Sequence, residues 1–255
     1  MTRRTNPFSE TEIRNLCFQV FQGLAYMHDT VGYFHRDLKP ENLLVSKDVI
    51  KIADLGQARK NNGRPPYTDY VTTRWYRAPE VFLYAQIQDS SVDMWAMGAI
   101  MVELYTLRPL FQGSSSTDVI REICSVIGSP TETTWSLGLY LASMINYQFP
   151  EFPGVGLSAL LPSASAEAVD LITKLLSWNP CWRPTAKEAL EHPFFRGCAT
   201  NSSGKVITIQ EQQMAMVSKQ ELLKRWESMQ ISSKRSATPT EDLLCILPEN
   251  PFEFM

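Results

Sequence analysis

Several stretches of the chain place apolar residues at helical spacing. Ser9 and Glu12 form the S-x-x-E pattern that caps the start of a helix, and apolar residues follow every three or four positions. This spacing predicts an amphipathic helix over residues 10–28. Residues 91–107 are apolar on nearly all sides, which predicts a buried central helix. Similar patterns predict further helices over residues 117–127, 165–178 and 185–191.

Other stretches interrupt the helical pattern. Two short apolar runs, residues 43–45 and 49–53, are separated by polar turn residues and predict a small β-hairpin. Residues 59–80 have little apolar periodicity and predict a long loop, and a loop of that length is usually functional. Residues 128–163 are rich in Ser, Pro and Gly, which predicts an irregular insert.

The composition changes near residue 197, which predicts a boundary between a domain over residues 1–196 and a separate segment over residues 197–255. That segment begins with a linker rich in Ser, Asn and Gly. The apolar spacing over residues 209–230 predicts one more helix, which either packs on itself or docks elsewhere. From Ser232 onward the tail is polar and contains proline, which predicts disorder.

Composition places the chain among ordinary globular proteins. Hydrophobic residues make up 44% of the 255 positions and charged residues 20%, and the net charge is -3. This charge gives no reason to expect binding to nucleic acid, and no apolar run reaches the roughly 18 residues of a membrane span. The five cysteines are scattered and form no C-x-x-C pair, so reduced thiols in an intracellular protein are expected.

The strongest chemical signal is the run His-Arg-Asp-Leu-Lys-Pro-Glu-Asn at residues 35–42, which fits the catalytic-loop pattern H-R-D-L-x-x-x-N. Phosphoryl transfer depends mainly on positioning and on neutralising charge. Asp37 is placed to accept the proton of a substrate hydroxyl, and Lys39 to neutralise the γ-phosphate. Asn42 offers a carbonyl oxygen to Mg²⁺, which prefers oxygen ligands. The alternative is a charged surface loop.

Two further signals strengthen this interpretation. Asp54 follows the predicted hairpin in the run Asp-Leu-Gly, where a carboxylate on a turn suits a metal ligand. Such a run alone is more often an ordinary turn. Glu80 closes the loop that begins at Asp54, and a buried glutamate needs a partner, for which Arg183 is the inferred residue. Without this context Glu80 would be interpreted as exposed to solvent.

Taken with these motifs, residues 1–196 resemble the large, mostly α-helical C-terminal lobe of a eukaryotic Ser/Thr protein kinase, a protein kinase-like fold with small β-hairpins. The run Thr-Arg-Trp-Tyr-Arg-Ala-Pro-Glu at residues 73–80 resembles the group of MAP kinases and cyclin-dependent kinases. The run Thr-Asp-Tyr at 68–70, together with residues 34–37 and 108–111, is similar to the male germ cell-associated and intestinal cell kinases, a family tied to cilia.

The resemblance implies ATP and Mg²⁺ as cofactors. The residues that it implies at the nucleotide are Lys39, Glu41, Asn42, Leu44 and Asp54, of which Asn42 and Asp54 would bind the metal. Leu44 would form the floor under the adenine. Thr73 would bridge Asp37 and Lys39, and Asp93 would brace the catalytic loop from the central helix. The implied reaction is transfer of the ATP γ-phosphate to protein Ser or Thr residues followed by proline, a preference tied to Arg77.

The resemblance also implies regulation of the loop over residues 54–80 by two phosphorylations, that of Thr68 by an upstream activating kinase and that of Tyr70 by the enzyme itself. The basic residues expected to pair with these phosphates are Arg36 and Arg59 for Thr68, and Arg74 and Arg77 for Tyr70. The alternative is that these are ordinary polar loop residues. The resemblance implies a cytoplasmic protein, with the nucleus and the cilium as further locations.

The sequence departs from the family in two ways. Leu55 stands where phenylalanine is usual, a mild change because leucine keeps an apolar side chain there. Only 36 residues precede Asp37, and they contain neither a G-x-G-x-x-G run nor a lysine. The N-terminal β lobe is therefore expected to be absent, and this chain alone to be inactive. The alternative function is a non-catalytic docking or regulatory module, which the coding sequence upstream of Met1 would distinguish.

Overall fold

Helices form most of the structure, a computed structural model that describes residues 7–46, 49–60, 74–83, 85 and 88–198. The longer helices are α1 (Glu10–Ala25), α3 (Ser91–Thr106), α4 (Ser116–Ile127), α5 (Glu132–Met144) and α7 (Ala166–Leu175). The shorter ones are α2 (Pro79–Phe82), α6 (Leu157–Leu160) and α8 (Ala186–Leu190). Within these residues, two antiparallel pairs of strands complete the fold: β1 (Tyr33–Phe34) with β4 (Arg59–Lys60), and β2 (Leu43–Ser46) with β3 (Val49–Ile52).

Helix α3 lies at the centre of the core. Nearly all of its first three turns are buried, and α1 and α7 pack against it. The approach of α7 is close at Gly98, where a Cβ atom would lie 2.8 Å from Leu176 Cγ. A helix that is apolar on all sides is stable only inside a protein, so α3 provides a rigid base for the segments attached to it.

Helix α1 begins as predicted. Ser9 Oγ accepts a hydrogen bond from the Glu12 backbone amide, and the Glu12 carboxylate accepts one from the Ser9 amide at 2.8 Å. Its end differs from the prediction, because the α-helix stops at Ala25 and a π-helical turn, Tyr26–Val31, follows. Gly32 closes this turn with a φ of 76°. Apolar spacing does not distinguish an α-helical turn from the slightly wider π-helical one.

The insert over residues 128–163 is not irregular throughout, which corrects the prediction. It contains α5 and α6. Helix α5 starts at a capping box formed by Thr131 and Thr134, and Trp135 departs from helical geometry just after it. The composition was misleading because the four prolines of this stretch all lie outside the two helices. Within α5, Leu137, Tyr140 and Met144 face solvent, whereas Trp135, Gly138 and Ala142 are buried.

The other predicted helices, namely α3, α4, α7 and α8, and the hairpin of β2 and β3 are confirmed within a few residues. Most of the loop predicted over residues 59–80 lies outside the described residues. The β1–β4 pair was not predicted, since strands of two residues carry no pattern and are held by pairing between distant segments. Among the described residues, Cys17, Cys124, Cys181 and Cys198 are free thiols. None of the described helices combines the length and apolar character that crossing a bilayer requires. The linker, helix and tail predicted after residue 198 lie outside the described residues.

Candidate active site

The catalytic-loop residues lie between β1 and β2, where a short 3₁₀ turn (Pro40–Asn42) ends the loop. Asp37 is almost buried, with 9% of its surface exposed. Lys39 Nζ donates a hydrogen bond to Asp37 Oδ2 at 2.7 Å. Asn42 Nδ2 donates to the Asp37 backbone carbonyl at 2.8 Å. The structure therefore brings Asp37, Lys39 and Asn42 together in one hydrogen-bonded group.

The turn that carries Asp54 is joined to this group through its preceding residue. The Ala53 amide donates to the Asn42 carbonyl at 2.8 Å. His35, which is fully buried, bridges the same segments: Nε2 donates to the Ala53 carbonyl at 2.8 Å, and Nδ1 accepts from the Asp37 amide at 3.3 Å. Backbone and imidazole hydrogen bonds thus hold the loop over residues 35–42 and the turn that carries Asp54 in a fixed relation.

The donor set of Asn42 and Asp54 fits Mg²⁺. The Asn42 amide nitrogen is engaged by the Asp37 carbonyl, which fixes the side-chain amide with its oxygen directed elsewhere. The Asp54 side chain is exposed, and Gly56 leaves room for it, since a Cβ there would lie 3.3 Å from Asp54 Oδ1. Mg²⁺ is commonly bound by one or two protein oxygens together with substrate phosphates and water, which matches this sparse set of ligands.

Asp93 holds the catalytic loop from the first turn of α3. Its Oδ2 accepts from the His35 amide at 2.7 Å, and its Oδ1 accepts from the Arg36 amide at 2.8 Å. His28 Nε2 lies 2.8 Å from Asp93 Oδ2. Burial alone would raise the pKa of Asp93, but the hydrogen bond and charge of His28, together with His35, hold it below its ordinary value. The carboxylate therefore stays ionised in the core and binds the loop as an acceptor.

Two residues of the site have left-handed backbone conformations that non-glycine residues seldom adopt. Arg36 has a φ of 71° and Asp54 has a φ of 60°. Such conformations cost about 1–3 kcal/mol and persist where the surroundings impose them. For Arg36 the Asp93 carboxylate is one of those surroundings, because it binds the Arg36 amide directly. The backbone just before Asp37 is therefore shaped by a tertiary contact.

Glu80 and Arg183 form a buried ion pair. Arg183 donates from both terminal nitrogens to the two Glu80 carboxylate oxygens, at 2.6 and 2.8 Å. Arg183 also donates to the Ser91 carbonyl at 3.1 Å, and its guanidinium lies over the ring of Trp95, 5.0 Å from the centroid. The pair attaches α2, which follows the long loop, to the start of α3.

The remaining predicted site residues are spread around this group. Leu44 is 54% exposed on β2, paired with Lys51. Arg59 lies on β4, opposite Phe34 on β1. Arg74 and Arg77 are half-buried in the segment before α2, where the Arg77 amide donates to the Arg74 carbonyl. Thr68, Tyr70 and Thr73 lie outside the described residues.

The sequence analysis missed Tyr76 and Glu103, and also His28. The Tyr76 hydroxyl donates to Glu103 Oε2 at 2.6 Å. Burial raises the pKa of Glu103, and the charge of Glu41 raises it further, although the Tyr76 hydrogen bond opposes both. Glu41 is therefore close enough to act on this pair. Tyr76 lies inside the run at residues 73–80, but no spacing in the sequence connects it to Glu103.

This arrangement on a helix-rich base defines a protein kinase domain, and a model of that domain, described as "Protein kinase domain", matches residues 1–195. The chain belongs to the protein kinase family. The helix-rich, kinase-like fold predicted from the sequence is confirmed.

Three curated relatives show which kinds of protein kinase this chain is similar to. Cyclin-dependent kinase F-4 of Oryza sativa subsp. japonica is 63% identical over 198 residues, 78% of this chain and 43% of the relative. The serine/threonine-protein kinase MAK of Rattus norvegicus is 51% identical over 197 residues, 77% of this chain and 32% of the relative. The serine/threonine-protein kinase ICK of Rattus norvegicus is 50% identical over 208 residues, 79% and 33%. The chain spans less than half the length of these relatives, and its predicted resemblance to MAK and ICK is confirmed.

Proposed function

We propose that the intact protein is a serine/threonine kinase that transfers the γ-phosphate of ATP to protein substrates. The observation that carries this proposal is the group of Asp37, Lys39 and Asn42, held together by hydrogen bonds and joined to the Asp54 turn through Ala53. The relatives described above are named as protein kinases, which supports the same reaction.

Each residue of the group has one task in the proposed reaction. The Asp37 carboxylate accepts the proton of the substrate hydroxyl as that oxygen attacks the γ-phosphorus, and the bond from phosphorus to ADP breaks. Lys39 Nζ, placed 2.7 Å from Asp37 Oδ2, orients that carboxylate and supplies a positive charge for the phosphate oxygens. Asn42 and Asp54 would hold Mg²⁺, which when bound neutralises phosphate charge. Such a site acts mainly by positioning.

We further propose that substrates carry proline directly after the phosphorylated residue. Two side chains anchor the segment that contains Arg77, since Trp75 Nε1 donates to the Gly113 carbonyl at 3.0 Å and the Tyr76 hydroxyl donates to Glu103. In the proposal Arg77 helps to engage a backbone carbonyl of the kinase. That carbonyl would otherwise accept a hydrogen bond from the amide of the residue after the phosphorylated one. Proline has no such amide and loses nothing.

Peptides that differ at this one position test the proposal. An amide left without a partner costs about 1–3 kcal/mol, so kcat/KM for a Ser-Pro peptide is expected to exceed that for Ser-Ala by about tenfold or more. A peptide with N-methylalanine at this position is the matched control. It lacks the amide hydrogen, as proline does, but it has the acyclic side chain of alanine. It should behave like the proline peptide. Equal kcat/KM for Ser-Pro and Ser-Ala would refute proline direction, whereas no transfer to any peptide would refute the kinase proposal.

Phosphorylation of Thr68 and Tyr70 is proposed to activate the enzyme. Each phosphate adds about -1.5 to -2 charges, and Arg36 and Arg59 are the basic residues proposed to bind a phosphate on Thr68. Arg59 on β4 pairs with Phe34 on β1, two residues before Arg36, so the segments carrying both arginines are adjacent. A phosphate on Thr68 that bound them would tie the long loop to the catalytic loop.

Phosphopeptide mapping of the protein from cells, followed by assay of Thr68→Ala and Tyr70→Phe, tests this regulation. Both substitutions are expected to lower the activity of the phosphorylated enzyme. Arg59→Ala should remove the response to phosphorylated Thr68, whereas Arg108→Ala, which removes an exposed arginine after α3, should not. Unchanged activity in both loop variants would show that the loop is not a switch.

A further inference from the structure

We propose that His28 is a positioning residue for phosphoryl transfer, which acts by holding the Asp93 carboxylate in the orientation that shapes the backbone before Asp37. This inference rests on the proposed kinase function. His28 lies in the π-helical turn after α1. Turns of this type are rare and occur frequently at functional sites.

The contact between the two side chains is short and shielded from water. His28 Nε2 lies 2.8 Å from Asp93 Oδ2, and the two side chains are 4% and 1% exposed. Because a carboxylate oxygen can only accept, Nε2 is the donor. Oδ2 is the same oxygen that accepts from the His35 amide, while Oδ1 accepts from the Arg36 amide. Donors on both oxygens therefore fix the plane of the carboxylate.

The loss of the His28 donor would reach the catalytic loop through two hydrogen bonds, the one between His28 and Asp93 and the one between Asp93 and the Arg36 amide. The Asp93 carboxylate would keep its backbone partners, but a buried charge with fewer donors gains by turning towards other partners or water. The Arg36 amide depends on this carboxylate, and Arg36 has the left-handed φ of 71° that sets the direction of the chain into Asp37. A shift of about 1 Å in a catalytic group can lower the rate about a hundredfold.

The alternative role of His28 is that of an ordinary core residue. It continues the buried face of α1, four residues after Leu24, and its loss would then lower stability without altering the folded enzyme. The two roles predict different results. A structural residue changes the amount of folded protein, whereas a positioning residue changes kcat of the folded fraction and leaves KM nearly unchanged.

The test compares His28→Gln with His28→Leu in the intact protein. Glutamine can place an amide nitrogen where His28 Nε2 lies, whereas leucine removes the donor at similar bulk. His28→Leu is expected to lower kcat about ten- to a hundredfold, with KM for ATP and peptide nearly unchanged, and His28→Gln to restore most of the loss. Full kcat in the folded fraction of His28→Leu, or equal losses in both variants, would overturn the proposal.

Two additions keep the test decisive. If His28→Leu does not fold, His28→Asn replaces it, because its shorter amide cannot reach the Nε2 position; equal, full kcat in the Asn and Gln variants would then overturn the proposal. Amide hydrogen exchange at His35 and Arg36 gives a readout without activity. Exchange there should be faster in the variant without the donor than in His28→Gln, and unchanged exchange would refute the role of His28. Absence of transfer by the unsubstituted protein would refute the kinase proposal alone.

Discussion

Asp37→Asn should lower kcat by about a hundred- to ten-thousandfold while the affinity for Mg²⁺-ATP stays nearly unchanged. The carboxylate of Asp37 is the proposed acceptor of the substrate proton, and loss of a general base typically has an effect of this size. Asparagine keeps the shape of the side chain, and the Asn42 hydrogen bond reaches the Asp37 backbone carbonyl, so the loop is expected to keep its conformation. Steady-state kinetics with nucleotide titration measure both quantities.

Asp54→Asn is the matched variant, because it makes the same chemical change at the other acidic residue of the site. Asp54 is exposed on its turn and is proposed to bind the metal. Its substitution should therefore weaken Mg²⁺-nucleotide binding as well as turnover. If the two variants lost the same affinity for nucleotide, the separate roles assigned to Asp37 and Asp54 would be wrong.

Glu80→Gln should lower the free energy of unfolding by about 3–5 kcal/mol, because it leaves the Arg183 guanidinium buried without its counter-charge. In the structure both Glu80 oxygens accept from Arg183, and both residues are almost fully buried. Glutamine has nearly the same shape, so the loss measures the charge more than the packing. Unfolding in urea, monitored by circular dichroism, should show a lower midpoint with an unchanged slope.

Asp170→Asn provides the control for this measurement. Asp170 also forms an ion pair, with Lys174 Nζ at 2.7 Å, but both side chains are about half exposed. Its Oδ2 also lies 2.8 Å from His192 Nε2, a hydrogen bond that the amide oxygen of asparagine can still accept. Surface pairs contribute about 0–1 kcal/mol. If Glu80→Gln cost no more than Asp170→Asn, the attachment of α2 to α3 would not depend on the buried charge pair.

The parts of the site that the sequence revealed are those carried by local runs of residues. The run at residues 35–42 contains Asp37, Lys39 and Asn42, and the structure gathers them within hydrogen-bonding distance because few residues separate them. The same holds for the helices, whose apolar spacing reflects which side faces the core. Local chemistry and amphipathic spacing are properties of neighbouring residues and can be recognised without the fold.

The missed features depend on contacts between distant segments. His28 and Asp93 are 65 positions apart, and nothing at either position in the sequence indicates the other. The left-handed backbone of Arg36 is equally invisible, since arginine has no preference for that conformation and tertiary contacts impose it. Helix α5 was missed for a third reason, because the surrounding segment is rich in Ser, Pro and Gly, although its prolines lie outside the helix.

The first turns of α3 hold both sides of the site at once. Asp93 binds the catalytic loop, while Ser91 and Trp95 contact Arg183, which in turn binds Glu80 in α2. The conformational entropy of these groups is therefore lost once, when the protein folds, and not again in every catalytic cycle.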